Sequence, residues 1–135
     1  MTVAAAVGVI ACDTRLETTV YTVKCPKLKS SVRIAFISDL HNSLFGDKQS
    51  QLISAVDGAS PDIIVFGGDL ADKTQDFVPE NSFFLAEYLA GKYPCFYSIG
   101  NHENARGDSA RIKQQMSLLG VCTLEGSGEV ISVND

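Results

Sequence analysis

The stretch 32-VRIAFISDLHN-42 decides how the rest of the chain is read. Val32 to Ile37 is a β-branched and aromatic run, long enough for a buried strand and too short for a helix. It stops abruptly at Ser38, and Asp39 and His41 follow within three residues, in a chain that has only 2 histidines. A strand that ends in a carboxylate and an imidazole leaves two metal-donor groups on the loop behind it.

Downstream the same unit recurs. Leu52, Ile53, Val56 and Ala59 fall at helical spacing and end before 60-SPD-62, where Pro61 discourages continuation. Ile63 to Phe66 is a second strand, followed by an apolar helix through Phe83, Phe84, Leu85, Tyr88 and Leu89 that Gly91 stops. Cys95 to Ile99 is a third strand, leading into a helix with Ile112, Met116 and Leu119 on one face and Gly120 as its stop. Val121 to Leu124 reads as a further strand, 125-EGSG-128 as a turn and 129-EVISV-133 as the start of another strand. Alternating strands and helices of this length imply an α/β fold, a mostly parallel sheet with right-handed crossovers and flanking helices.

Each of the three strands is followed at once by a polar cluster: Asp39 and His41, then Asp69 in 67-GGDL-70, then Asn101 and His102 in 100-GNHE-103. Asp39 to Asp69 is 69 − 39 = 30 positions and Asp69 to Asn101 is 101 − 69 = 32, each about one βαβ repeat. That rhythm brings all three clusters to the carboxyl edge of the sheet, where open α/β folds bind ligands. Hard oxygen and borderline nitrogen donors together form a metal-ligand set better suited to Mn, Fe or Zn than to Ca. Gly67, Gly68 and Gly100 beside them allow sharp bends and close approach.

Composition sets the outer bounds. A length of 135 residues is one domain, and 45% hydrophobic with 20% charged residues is a globular balance. The formal charge of −5 and the scatter of Lys and Arg disfavour a nucleic-acid backbone footprint, though a nucleotide substrate stays open. The four cysteines, Cys12, Cys25, Cys95 and Cys122, show no C-x-x-C pairing and read as free, partly buried thiols, with Cys95 and Cys122 inside apolar runs. Residues 1–31 are an apolar leader and a connecting segment, in which Leu16 to Lys24 suits a short strand; residues 32–135 are the domain proper. The leader is too short to span a bilayer and has no preceding positive charge. It reads either as a frayed or packed segment or as the remnant of a membrane anchor, so localisation is membrane-associated on one reading and cytoplasmic on the other.

In combination, Asp39-x-His41, Gly68-Asp69 and Gly100-Asn101-His102-Glu103 resemble the calcineurin-like metallophosphoesterase family over roughly residues 32 to 133. The wording of IAFISDLHN, PDIIVFGGDLAD and PCFYSIGNHE is most similar to the small bacterial phosphoesterases that often carry a hydrophobic N-terminal anchor. The resemblance implies an α/β/β/α sandwich and hydrolysis of phosphomonoesters or phosphodiesters, of small-molecule or lipid-linked substrates, with two divalent metal ions. It implies that Asp39 and His41 hold the first ion, that Asp69 bridges both, and that Asn101 ligates the second. His102 would lie beside the substrate phosphate as general acid or charge stabiliser, with Glu103 orienting it. Asn42 and Arg106, which follow two of the motifs, are candidate substrate contacts; Asp47 and Asp72 read as solvated or capping.

The family also has further histidines downstream, a lone His and a Gly-His-x-His motif, and no histidine follows His102 here. The expectation is therefore the N-terminal half of the sandwich, with one sheet face uncovered, one ion held and little turnover. A non-catalytic scaffold binding at most one metal is the competing reading. A doubly wound nucleotide-binding or response-regulator-like module leaves His41 and the Asn101-His102 pair unexplained.

Overall fold

The computed structural model describes residues 15–72, 79–126 and 128–133. Four strands, Ile34–Ile37 (β1), Ile63–Phe66 (β2), Cys95–Tyr97 (β3) and Cys122–Thr123 (β4), form a parallel sheet in the order β1-β2-β3-β4. Between them lie the helices Ser50–Ala59 (α1), Glu80–Ala90 (α2), the short Asn101–Arg106 (α3) and Ser109–Leu118 (α4). A short 3₁₀ turn, Asp47–Gln49, precedes α1. The α/β architecture with a parallel sheet and flanking helices is as the sequence implies.

Register explains which face is the core. Ile37, Phe66 and Tyr97 are neighbours across β1, β2 and β3, and Ala35, Ile64 and Cys95 form a second row on the same face. Against those rows pack Leu52 and Val56 of α1, Leu85, Ala86 and Leu89 of α2, and Ile112 and Met116 of α4, all buried. Because consecutive parallel strands are added in one direction, right-handed crossovers put the helices on one face. The intervening positions point the other way. There Ile34 is 55% and Phe36 68% exposed, while Phe96 of β3 is 9% exposed.

Several local expectations change. Leu16 to Lys24 forms no strand: it makes no ladder, and most of it is exposed. Residues 128–133 are likewise irregular, with Ile131 lining a shallow pocket together with Ile63, Val65 and Phe96. The single helix expected after β3 is two, because Gly107 (φ 76°) adopts a left-handed turn at the end of α3. In α2 the buried stripe is Ser82, Leu85, Ala86 and Leu89, while Phe84 and Tyr88 are partly exposed; the 3.6-residue period, not aromatic size, chooses the face. Cys95 is buried and free, but Cys122, on the edge strand, is exposed, as is Cys25. The apolar leader, with Cys12, lies outside the described residues. Among the described residues no helix is long and apolar enough to cross a membrane.

Candidate metal centre

The carboxyl ends of β1, β2 and β3 turn into loops that hydrogen-bond to each other through the main chain. Asp39 N–H donates to Gly68 O (3.1 Å), His41 N–H to Asp69 O (3.0 Å) and Asn42 N–H to Leu70 O (2.7 Å). The price is strain: Asp39, His41, Asn42 and Asp69 all have φ between 47° and 57°. A left-handed non-glycine residue costs of order 1–3 kcal/mol, and such residues concentrate at functional sites. Asp and Asn tolerate the conformation best, which suits three of the four positions.

Two glycines make the approach of the loops sterically feasible. Gly68 has φ 94°, and a Cβ there would meet the backbone of Gly100. A Cβ on Gly100 would in turn overlap Asp69 and the Glu103 carboxylate, so the β2 and β3 loops could not touch if either glycine were replaced.

Glu103 ties these loops together. It is fully buried, and its Oε2 accepts from the N–H groups of Gly100 (2.9 Å) and Asp69 (3.0 Å), while Oε1 accepts from Leu70 (2.6 Å) and Ala71 (3.4 Å). The bond to Gly100 is the acidic half of a capping box at the start of α3. Where the sequence reading made Glu103 the orienter of the His102 imidazole, the structure employs its carboxylate on four main-chain amides. Three of those amides, on Asp69, Leu70 and Ala71, were unreadable from sequence because they belong to a loop more than thirty positions away.

Around this frame the donors gather. Asp69 is nearly buried, and its Oδ1 accepts from the His102 N–H at 2.9 Å. Donor atoms of His41, Asp69 and His102 lie within 4.8 Å of one another, and the two imidazole rings are 4.6 Å apart at 57°. Asp39 joins them with Oδ1 3.9 Å from His41 Nε2; its Oδ2 accepts from Ser38 Oγ. Asn101 is exposed and opens α3 between Gly100 and His102.

The arrangement fits a metal ion. At bond lengths of about 2.0–2.2 Å, two donors on one ion can be at most ~4.4 Å apart. The Asp39–His41 pair already satisfies that, and His41 and Asp69, whose donor atoms lie within 4.8 Å, need a contraction of at most a few tenths of an ångström. His41 Nδ1 is buried with no hydrogen-bond partner among the described residues, an orphan that marks a site whose polar groups are arranged for something more than each other.

Two expected substrate contacts are otherwise engaged. Asn42 accepts through Oδ1 from the Asn81 N–H (2.9 Å) and through its main-chain oxygen from Asn81 Nδ2 (2.8 Å), so it caps the first turn of α2. Arg106 has a side chain only 9% exposed: Nε donates to Asp108 Oδ2 (2.9 Å) and Nη1 to the Asp72 carbonyl (2.7 Å). A guanidinium held in this way braces α3 against the β2 loop rather than facing solvent. Asp72, read from sequence as solvated or capping, instead comes to 4.0 Å from His41 Nδ1. Its place three residues after Asp69 was the available signal.

Comparison with known proteins decides the family. A model of the calcineurin-like phosphoesterases matches residues 32–130. The chain belongs to that family. An uncharacterized metallophosphoesterase of Campylobacter jejuni is 32% identical over 87 residues, covering 63% of this chain and 23% of that protein. The match thus spans less than a quarter of the relative's length. No solved structure gives a significant match. The matched region of this calcineurin-like phosphoesterase chain begins at β1 and takes in all three donor-bearing loops.

Proposed function

We propose that the protein is a metal-dependent phosphoesterase that hydrolyses phosphomonoester or phosphodiester bonds, with Asp39, His41, Asp69 and Asn101 as ligands for up to two divalent ions, Mn, Fe or Zn. The observation that carries the reading is the convergence of His41, Asp69 and His102 within 4.8 Å at the carboxyl edge of the sheet, with Asp39 beside them. Divalent ions held by these residues would supply polarisation of phosphoryl oxygens and a lowered pKa for an attacking water.

The protein's own groups have separate tasks. Asp69, at the centre, faces both the β1 loop and the start of α3, which suits a carboxylate shared between two ions. His102, its main chain tied to Asp69, is the group to protonate the leaving oxygen or stabilise charge on the phosphoryl group. Glu103 acts indirectly, by holding the Asp69 loop. Small-molecule and lipid-linked phosphate esters are the substrate classes in view, and membrane association through the N-terminal segment belongs to the same proposal.

The test is metal titration of the chain by calorimetry, together with hydrolysis of p-nitrophenyl and bis-p-nitrophenyl phosphate. With 2 histidines in the chain, one ion should bind firmly, a second poorly, and turnover should be slow and chelator-sensitive. Asp69→Asn and His102→Ala should abolish it. Tight binding of one ion with no turnover at all favours the non-catalytic scaffold; turnover indifferent to chelator overturns the metal reading.

A further inference from the structure

Among the described residues, seven non-glycine residues have a left-handed backbone, and five of them, Asp39, His41, Asn42, Lys48 and Gln49, fall between positions 39 and 49, in the loop that follows β1. Backbone of this kind persists only where its surroundings over-determine it. The β2 loop supplies part of the restraint, through the bonds from the His41 and Asn42 amides to Asp69 O and Leu70 O. A further part comes from the first turn of α2.

Asn81, the second residue of α2, is bonded to Asn42 twice. Its main-chain N–H donates to Asn42 Oδ1 at 2.9 Å, and its side-chain Nδ2 donates to the Asn42 carbonyl at 2.8 Å, so the residue immediately after His41 is gripped through both its side chain and its backbone. The Asn81 carbonyl accepts from Gln49 Nε2 at 3.3 Å. Gln49 is fully buried and closes the loop on itself: Nε2 also donates to Ser43 O (2.7 Å), and Oε1 accepts from the Phe45 N–H (2.9 Å). The next residue of α2, buried Ser82, donates from Oγ to Leu70 O at 2.8 Å, the same carbonyl that receives the Asn42 N–H. The first turn of α2 thus holds the β1 loop one residue after His41 and the β2 loop one residue after Asp69.

We propose that Asn81 is a positioning residue of the metal centre: bonded to Asn42 from its main chain and its side chain, it holds the left-handed turn that presents His41 toward Asp69 and His102. Metal donors held by a supporting layer of hydrogen bonds do not have to be ordered when an ion arrives, and loss of that layer weakens binding. Glu103 supports the β2 and β3 loops in this way, and Asn81 does the same for the β1 loop. Any residue but proline keeps the main-chain donor and acceptor at position 81, so what the asparagine side chain adds is the Nδ2 bond to the Asn42 carbonyl.

This inference rests on the reading of His41 as a metal donor, and the experiment separates the two. Amide hydrogen exchange of the metal-free 135-residue chain, followed by NMR, is compared with that of Asn81→Ala and Asn81→Ser, and each protein is titrated with Zn(II) by calorimetry. In Asn81→Ala the His41 and Asn42 amides should exchange about 5–10-fold faster, the worth of one hydrogen bond, while the amides of β2 keep their wild-type rates. Zn(II) affinity should fall about 10-fold. Asn81→Ser, whose hydroxyl is a shorter donor, should lie between. A purely structural role would speed exchange evenly across the sheet and leave the affinity of the folded protein alone. That pattern, or either readout within twofold of wild type in a folded Asn81→Ala, overturns the proposal. If the alanine variant does not fold, the same result in Asn81→Ser overturns it. A wild type that does not bind Zn(II) defeats the metal reading instead, and the exchange rates then decide by themselves whether Asn81 holds the loop.

Discussion

The two ends of the sheet both carry acidic residues but treat them differently. At the amino ends of the strands, Asp62 accepts from the Arg33 main-chain N–H at 2.7 Å and the Arg33 guanidinium donates to Ala59 O. Nearby, Asp57 accepts from Lys92 Nζ at 2.7 Å and from the Tyr93 hydroxyl at 2.9 Å. At the carboxyl ends, Asp69 and Glu103 are met by main-chain amides. Amide dipoles stabilise a carboxylate without neutralising it, whereas Lys92 cancels the charge it touches. Asp57 is closed electrostatically by its cation; Asp69 keeps negative charge in reserve for one.

The largest effect should come from removing that reserve. Asp69→Asn keeps the shape and an oxygen for the His102 N–H but deletes the charge at the centre of the donors, so divalent-metal affinity measured by calorimetry should drop by about 100-fold or more. An Asp69→Asn protein that binds Zn(II) like the wild type would erase the distinction between the two ends.

Next is Glu103→Gln. Each Glu103 oxygen accepts from main-chain N–H groups, so either orientation of a carboxamide sets its NH₂ against an amide donor. Burying that mismatch should lower stability in urea by about 2–4 kcal/mol. Glu103→Gln at wild-type stability would show that the amides are satisfied in another way.

Thiol reactivity sharpens the contrast between interior and edge. Burial pushes the Cys95 thiol up to about 11, while Cys25 and Cys122 are exposed. At pH 8, labelling of Cys95 by a thiolate-selective reagent, followed by peptide mapping, should be about 100-fold or more slower than at Cys25.

A smaller effect is expected at Tyr97, on β3 next to the candidate metal centre. Its hydroxyl is buried with no hydrogen-bond partner among the described residues, and burial, with Glu103, Asp108 and Asp69 nearby, raises its pKa. Tyr97→Phe removes an unsatisfied group and should be neutral or stabilising by up to about 1 kcal/mol. A clear loss of stability would mean that the hydroxyl has a partner, such as an ordered water.

The smallest effect belongs to the cation-paired end. The Lys92 and Tyr93 hydrogen bonds hold the Asp57 carboxyl below the ordinary carboxylate value, and Asp57 holds Lys92 above its own. The Asp57 contribution is present above the ordinary carboxylate pKa and is lost as pH falls through the lowered one. Asp57→Asn should therefore melt slightly below wild type at neutral pH, less so in high salt, and the difference should vanish in acid.

Much of this was legible in the chain itself. The run Val32 to Ile37, the helical spacing from Leu52 to Ala59 and the stops at Gly91 and Gly120 specify strands and helices through local periodicity. The near-equal intervals between Asp39, Asp69 and Asn101 place the polar clusters on one sheet edge, because parallel repeats return each loop to the same end. The employment of each side chain was another matter. Asn42 and Arg106 stand next to the motifs, yet the first caps α2 through Asn81 and the second braces Asp72, while Asp72 comes up to His41. Glu103 adjoins His102 in sequence, yet its partners include Asp69, Leu70 and Ala71 across the fold. Periodicity and spacing are properties of the chain over a few residues or one repeat, so the sequence alone determines the fold class and which loops meet. Which oxygen accepts from which amide, and which face of the sheet the helices cover, depend on directions and distances in three dimensions, and only tertiary packing decides them.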